Sequence, residues 1–416
     1  MTAVAVPAAA SVRDRLPVLA RPAKSRDLCT DCGISRSDDP SRCGRACQFI
    51  HPRYEALERA VHGRPRDASR PDELHFGPFQ RMVRARLGAP LPGAQWTGIT
   101  TRLGERLLAS GLVDAVLTTA STPEDRWRPM PVLVRRAEDM AECRGMKMGY
   151  APLLALLDDV ADQGIRRLAV IGIPCQVHAL RALEAELGLE ALYVIGTPCS
   201  DNTTTERFHQ FLGLLTDRPS EVTYLEFLAD FHVEVRFADG ASRRIPFIQL
   251  PIASLPDDFF PATCRACFNY TNVLAELTVG YMGGAGDQWL LVRNARGAAL
   301  LGLLEGELVT QDLVSRGDRR GPVRAFRAAL ERQVGGLPVR RAPRWLRPLI
   351  GWAMTRFGPK GLEFARCRVE MKAVEGILTL RRDRPHRLRR MVPPFAWQLA
   401  ARYDVAPETP VSRGIA

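Results

Sequence analysis

From Gly93 onward the chain alternates helical stretches with short apolar strands. Thr97 to Ser110 reads as a helix, and Val113 to Thr118 and Met130 to Val134 read as strands. Leu153 to Gln163 reads as a helix, Leu168 to Ile173 as a strand, Val177 to Leu187 as a helix and Ala191 to Ile195 as the next strand. That alternation predicts an α/β fold with a parallel-sheet core covered on both faces. His232 to Phe237 and Ser242 to Phe247 flank Asp239-Gly240, which predicts a small antiparallel hairpin insertion. Leu277 to Tyr281 and Leu290 to Arg293 flank a glycine-rich stretch, Gly283, Gly284 and Gly286. Before Gly93 the pattern is looser. Residues 1–28 form an extension without a period, and 29–92 hold a compact cysteine-rich module and a linker with a short helical stretch, Gln80 to Leu87. Residues 93–330 carry the α/β domain, and 331–416 are helical pieces broken at Pro343, Pro348, Pro359 and Pro385.

Composition narrows the class. The chain has 416 residues, 46% hydrophobic and 25% charged, an ordinary globular balance. No run approaches the ~18 apolar residues of a membrane-spanning helix. The apolar start, Met1 to Ala10, lacks the leading Lys or Arg of a secretory signal. The expected location is therefore cytoplasmic. The net charge of +12 is concentrated at the end: residues 340–416 hold 17 Lys plus Arg against 6 Asp plus Glu, a balance of +11. A basic tail on a nearly neutral body suits an acidic protein, a membrane surface or nucleic acid; a merely solvated tail is the plainer alternative.

The ten cysteines carry the chemistry. Cys29, Cys32, Cys43 and Cys47 form C-x2-C-x10-C-x3-C, two close pairs able to converge on zinc or an iron–sulfur cluster. Cys264 and Cys267 form C-x2-C, half of a second site. Cys175 in Ile173-Pro174-Cys175 and Cys199 in Pro198-Cys199 each follow a predicted strand, and a helix joins those strands. A right-handed strand–helix–strand unit puts both strand ends on one sheet edge, where parallel sheets bind ligands. Cys175, Cys199, Cys264 and Cys267 are thus expected to form a second four-thiolate site; buried core thiols are the alternative. Cys143 and Cys367 are left over as structural.

Other motifs are mostly absent. There is no G-x-x-x-x-G-K-[ST], no G-x-G-x-x-G and no H-E-x-x-H. Gly93 to Thr100 opens a helix and Arg144 to Tyr150 is a basic glycine turn before another. Each fits an ordinary cap. Together, on a sheet with thiolate sites, they suit a flavin nucleotide.

These residues resemble a known family. Cys29-Thr30-Asp31-Cys32-Gly33, Ala46 to Ile50, Gly93 to Ile99, Pro123 to Arg126, Gly196 to Asn202 and Val279 to Gly283 are similar to stretches of the coenzyme-reducing hydrogenase/dehydrogenase beta-subunit family, which includes iron–sulfur flavoproteins acting on chlorophyll intermediates. The resemblance covers about two-thirds of the chain. It implies two 4Fe-4S clusters and one FAD, with Gln95, Thr97, Gly98, Thr100, Lys147 and Gly149 holding the flavin. Gly283 and Gly284 would allow close backbone approach, and Arg293 would meet a phosphate, a surface salt bridge being the alternative. Asp201 is a candidate proton donor, with a turn role as the alternative. Many relatives carry a third cysteine where this chain has Ser35, so Cys43 would take over as ligand.

The implied activity is reduction of the C8 vinyl group of divinyl (proto)chlorophyllide by electrons from reduced ferredoxin, in (bacterio)chlorophyll biosynthesis. Reduction of 7-hydroxymethyl chlorophyll a or of a deazaflavin coenzyme uses the same machinery. The expected partners are ferredoxin and a tetrapyrrole, with peripheral contact at a photosynthetic membrane through the basic C-terminal region and room for a homo-oligomer. A zinc-bearing nucleic-acid binder is the rival from another class. Against it, the densest basic run, Arg381 to Arg390, has no aromatic residue, so no nucleic-acid partner is expected.

Overall fold

The computed structural model describes residues 27–228, 230–251, 254–256, 258–280, 286–331, 343 and 345–407. Nearly all of the predicted N-terminal extension, and both Gly283 and Gly284, lie outside them. Before the main sheet comes a cysteine-rich coil with a short helix at Cys43–Ala46, then α1 (Tyr54–His62). The next elements are β1 (Arg81–Leu87), α2 (Ile99–Ala109), β2 (Ala115–Ser121) and β3 (Pro129–Val134). They continue with β4 (Arg167–Gly172), α3 (Pro174–Leu183), β5 (Ala191–Gly196) and α4 (Thr205–Leu215). A separate antiparallel unit follows, of β6 (Val222–Phe227), β7 (His232–Phe237) and β8 (Ser242–Pro246). The chain then returns through β9 (Leu277–Gly280), β10 (Gln288–Val292), α5 (Ala295–Gly302) and β11 (Leu308–Gln311). Its last part holds the helices α6 (Arg320–Glu331), α7 (Arg347–Phe357), α8 (Leu362–Asp383) and α9 (Pro394–Ala401), with a single helical turn, Leu388–Met391, between the last two.

The eight-stranded sheet has the order β11-β1-β10-β9-β5-β4-β2-β3. Only its centre is parallel: β2 with β4, β4 with β5 and β5 with β9. Both flanks are antiparallel. The expected parallel core is therefore present but narrower, because β3 and β10 return by short connections without a crossover helix and β11 pairs antiparallel with β1 at the far edge. The predicted hairpin is present as β7 and β8, with β6 as a third strand.

One element was expected as a helix and is a strand. The segment Gln80 to Leu87 is β1, hydrogen-bonded on one side to β10 and on the other to β11. Its buried apolar residues Val83, Ala85 and Leu87 recur every second position, the strand period, which outweighs the helix preference of Met, Arg and Leu. The predicted helix from Leu153 to Gln163 is a 3-10 turn, Leu153–Leu156, followed by a short α-helix, Leu157–Asp162.

Alternation along the central strands divides the core. Val116, Ala169, Ile195 and Leu290 face Leu103 and Leu107 of α2 and Leu300 of α5. Their neighbours Leu117, Val170, Val194 and Leu291 face the other way, into a core shared with Leu180 of α3, Leu57 of α1 and Ala365, Val374 and Ile377 of α8. The C-terminal helices thus complete the same core as the cysteine-rich coil. A buried ion pair fixes α3 to the sheet: Arg181 bridges to Glu276, which also accepts the Val194 N–H at 2.6 Å, while Arg181 Nε donates to Leu274 O at 3.0 Å. Removing one partner of such a pair costs about 3–5 kcal/mol. Among the described residues no helix is long and apolar enough to cross a membrane.

Candidate functional site

In register, Gly172 at the end of β4 lies beside Gly196 at the end of β5. After β4, Pro174 occupies the first turn of α3, so Cys175 is itself helical; the sequence had placed it in a loop before the helix. Gln176 anchors that turn, accepting the Ile173 N–H at 3.1 Å and donating to Ala151 O at 2.8 Å. After β5, Pro198 leads into Cys199, whose N–H bonds Tyr270 O at 3.0 Å. Cys264 and Cys267 lie on and just after the short helix Ala262–Arg265.

All four thiols line one cavity of about 30 Å³. Thr30, Gln48, Phe49 and Tyr150 help to close it. Donors reach the sulfurs, among them Asn202 N–H to Cys264 Sγ at 3.4 Å and Gln48 Nε2 to Cys267 Sγ at 3.6 Å. Tyr54 Oη donates to Gln48 Oε1 at 3.1 Å and holds that amide in place. Burial, then the charge of neighbouring Cys267, pushes the Cys175 thiol up to about 12. Burial and the neighbouring thiols Cys264, Cys175 and Cys267 also push Cys199 upward. Four thiolates collected here need positive charge among them, as an iron-bearing group supplies.

The first cysteine set stands alongside. Gly33 takes φ +112°, and a Cβ there would lie 2.3 Å from Ala155 N, so the coil presses backbone to backbone on the 3-10 turn at Leu153–Leu156. Leu154 N–H bonds Cys32 O at 2.9 Å. Burial raises the Cys32 thiol, with Cys175, Cys47 and Cys43 among its charged neighbours. Cys47 in turn feels burial, Cys43 and Cys29. Thr30, inside this set, reaches the Cys175 sulfur of the other. The two sets are therefore neighbours across one loop. Ser35 is buried in the turn Ile34–Arg36. Among the described residues, no three His, Cys, Asp or Glu side chains are placed to hold a single metal ion.

The two segments expected to hold a flavin also meet. Arg144 Nη1 donates to Pro92 O at 3.4 Å, and a Cβ on Gly145 would lie 3.4 Å from Gly93 O. Gln95 keeps a buried side-chain oxygen without a partner, as a bound ligand would leave it. Gly98 is the left-handed N-cap of α2, and Thr100 lies in that helix's first turn. Thr97 is different: its hydroxyl accepts the Leu87 N–H at 3.0 Å and is internal. Lys147 is internal too. Its Nζ donates to the carbonyls of Cys143 (2.5 Å), Arg144 (3.1 Å) and Gly145 (3.3 Å), and burial lowers its pKa to about 8. Gly149 packs against Thr205 and Pro129, and its carbonyl accepts from Asn202 Nδ2 at 2.8 Å. One loop thus runs from Arg144 to Tyr150 at the thiol cavity.

Arg293 does not await a phosphate. It is buried, and its guanidinium donates to Phe76 O, Pro78 O, Thr271 O and Thr278 Oγ1. Burial, then repulsion from Arg66, lowers its pKa to about 9. Four carbonyl and hydroxyl acceptors satisfy the side chain that the sequence assigned to a phosphate or a surface salt bridge.

Sequence reading missed the charges beside the second set. Lys372, in the middle of α8, donates to Asp201 Oδ1 at 3.0 Å, Glu375 Oε2 at 2.7 Å and Cys264 O at 2.8 Å. Arg368 adds a 3.8 Å pair with Asp201. Asp201 is therefore an ion-pair partner within this group. Only the i, i+4 spacing of Arg368 and Lys372 within a long helical stretch hinted at this, and a basic tail disguised it.

Comparison with known proteins follows the same division. Residues 82–158 match the N-terminal part, and residues 165–315 the C-terminal part, of the coenzyme F420 hydrogenase/dehydrogenase beta subunit. Cys175, Cys199, Cys264 and Cys267 fall inside the second stretch; Cys29 to Cys47 and α8 lie outside both. The chain is 39% identical to an uncharacterized protein of Nostoc sp. over 92% of its own length and 95% of that protein's. It is 38% identical to the chloroplastic 7-hydroxymethyl chlorophyll a reductase of Oryza sativa, over 91% of this chain and 83% of that one. Among solved structures, a chain of the F420-reducing [NiFe] hydrogenase complex of Methanosarcina barkeri superposes with a TM-score of 0.51 at 20% identity, covering 57% of this chain and 84% of the other. That likeness concerns the fold.

Proposed function

We propose that this chain, which belongs to the coenzyme F420 hydrogenase/dehydrogenase beta-subunit family, is an iron–sulfur flavoprotein that reduces a chlorophyll-type tetrapyrrole with electrons from reduced ferredoxin. The reading rests on one observation above the others: two Pro-Cys strand ends and a distant C-x2-C bring four thiols around a single cavity. Zinc would draw four sulfurs to ~2.3 Å from one point. Thiols spread around a space suit a polynuclear centre better, and an adjacent second set suits a relay. When bound, the clusters carry single electrons and FAD gathers two for delivery to the substrate.

The chain's own residues do the rest. Cys175, Cys199, Cys264 and Cys267 hold one 4Fe-4S cluster, and Cys29, Cys32, Cys43 and Cys47 hold the other. Gln48 and Asn202 donate to cluster sulfurs. Gln95, Gly98, Thr100 and Gly149 shape the flavin seat, while Lys147 and Thr97 hold the seat's two loops in position through their internal bonds. Lys372 keeps a positive charge beside Cys264 and Cys267.

Within this reading we assign the C8 vinyl group of divinyl (proto)chlorophyllide as the site of reduction. The identity to the Oryza reductase supports the alternative reading, in which 7-hydroxymethyl chlorophyll a is the substrate instead. Anaerobic purification followed by iron, sulfide and flavin analysis tests the cofactors. Turnover of the divinyl pigment against the hydroxymethyl pigment, with reduced ferredoxin, tests the substrate. A colourless zinc protein would sink the whole reading; turnover of the hydroxymethyl pigment alone would replace the substrate and keep the machinery.

A further inference from the structure

We propose that α7 docks the protein on an anionic lipid surface by inserting an outward-facing apolar stripe. Trp345, Leu349, Trp352 and Phe357 are 78%, 58%, 59% and 62% exposed. Leu349 and Trp352 stand at i and i+3 of α7 and share one side, Phe357 meets Trp352 edge to face at 5.8 Å, and Trp345 lies in the turn just before the helix. The opposite side rests on the protein: a Cβ at Gly351 would lie 3.2 Å from Ile248 Cγ2. This helix is thus amphipathic in the reverse sense, with its large apolar groups turned to solvent. Isolated exposed apolar residues are ordinary, but two indoles, a leucine and a phenyl ring along three turns form a patch, and such patches mark contact surfaces.

Charge selects the occupant. Residues 345–362, which make up α7 and its flanks, contain Arg347, Arg356 and Lys360 and no aspartate or glutamate. Indole and phenyl groups flanked by guanidinium groups match a headgroup layer, where the rings enter the acyl boundary and the cations meet phosphate. Several other cations of the basic tail have partners within the protein. Arg384 and Arg387 pair with Asp27, Arg390 donates to Ile50 O and Arg366 pairs with Asp72. The proposed lipid contact is centred on α7.

The test uses the full chain with vesicles of phosphatidylcholine containing phosphatidylglycerol, and with phosphatidylcholine alone. Co-sedimentation is expected on the anionic vesicles, with a blue shift of tryptophan emission, and much less on neutral ones. The triple replacement Trp345→Ser/Leu349→Ser/Trp352→Ser removes only exposed groups, so folding and cofactor content stay intact, and vesicle binding should fall at least about tenfold. Arg356→Gln/Lys360→Gln should weaken binding and reduce its salt dependence. Equal binding by the triple variant, or no binding by the wild type, overturns the proposal. So does an oligomer that dissociates in the triple variant, which would make the stripe a contact between copies, or loss of ferredoxin binding with vesicle binding unchanged. Vesicle binding requires no turnover, so its failure is separable from failure of the catalytic reading.

Discussion

Replacing Lys372 by Met removes a buried ammonium that joins α8 to Asp201 and to the Cys264 carbonyl while pairing with Glu375 of its own helix. Burial alone would lower the lysine's pKa, but Asp201 and Glu375 outweigh burial and hold it above its ordinary value. The ammonium is 4% exposed, and its three bonds at 2.7–3.0 Å go to Glu375, Cys264 O and Asp201. Methionine fills much the same volume, so the loss is electrostatic. Two carboxylates are left with Arg368, which stands 3.8 Å from Asp201. Breaking a buried pair in this way costs about 3–5 kcal/mol. At roughly 2–4 °C per kcal/mol, the melting temperature should fall by about 6 °C or more. Lys372 also favours the thiolate forms of Cys264 and Cys267, so iron and sulfide per chain should fall as well. The double replacement Lys372→Met/Glu375→Met removes one stranded carboxylate together with its partner and should recover about 1–3 kcal/mol relative to the sum of the single changes. Circular-dichroism melts and iron analysis on the three variants measure this. A Lys372→Met protein that melts within about 2 °C of wild type with full iron content would refute the reasoning.

Three further outcomes are expected. His62 is half-buried with Nε2 on Val273 O at 2.7 Å, and desolvation, then Arg293, lowers its pKa to about 3; the unfolded chain takes up this proton below about 6.5 and the folded chain does not, so its contribution is intact above pH 6.5 and is lost as pH falls toward 3. His62→Gln should therefore flatten the acid slope of urea midpoints between pH 6.5 and 4 by up to about 1.4 kcal/mol per pH unit, and an unchanged slope would contradict the assignment. Gly149→Ala places a Cβ 2.3 Å from Thr205 Oγ1 and 2.9 Å from Pro129 Cδ at φ +155°, so stability should drop by about 1–3 kcal/mol and flavin absorbance per chain should fall. Cys43→Ser should remove about half of the iron and sulfide while Ser35→Ala leaves both unchanged, and the reverse result would return the ligand role to position 35.

Much of the site was legible because it rests on local rules. A proline one residue before a cysteine, at the end of an apolar run, marks a strand-to-helix or strand-to-loop turn whatever the rest of the chain does. Two such turns joined by one helix must share a sheet edge, and Cys175 and Cys199 do line one cavity. The glycine turns at Gly93 and Gly145 were visible for the same reason, and they lie side by side. Where the reading missed, long-range partners were responsible. Arg293 carries no local sign of the four acceptors that surround it, since Phe76, Pro78 and Thr271 come from other parts of the chain. The segment Gln80 to Leu87 looks helical by residue preference, and only strands on both sides make it β1.

The sequence by itself determined the hydrophobic periods, hence the parallel centre of the sheet, and the spacing of its thiols. Both depend on covalent proximity and side-chain period, which survive without knowledge of distant contacts. Tertiary structure alone decided which charges stand beside those thiols and which apolar face stays outside. It carried α8 into the core, so that a basic-looking tail delivers one buried lysine to Asp201 and Glu375. It also left α7 with its aromatic side outward. Burial is a property of packed neighbours: the same arginine, lysine or tryptophan becomes a core group or a surface group according to what folds against it.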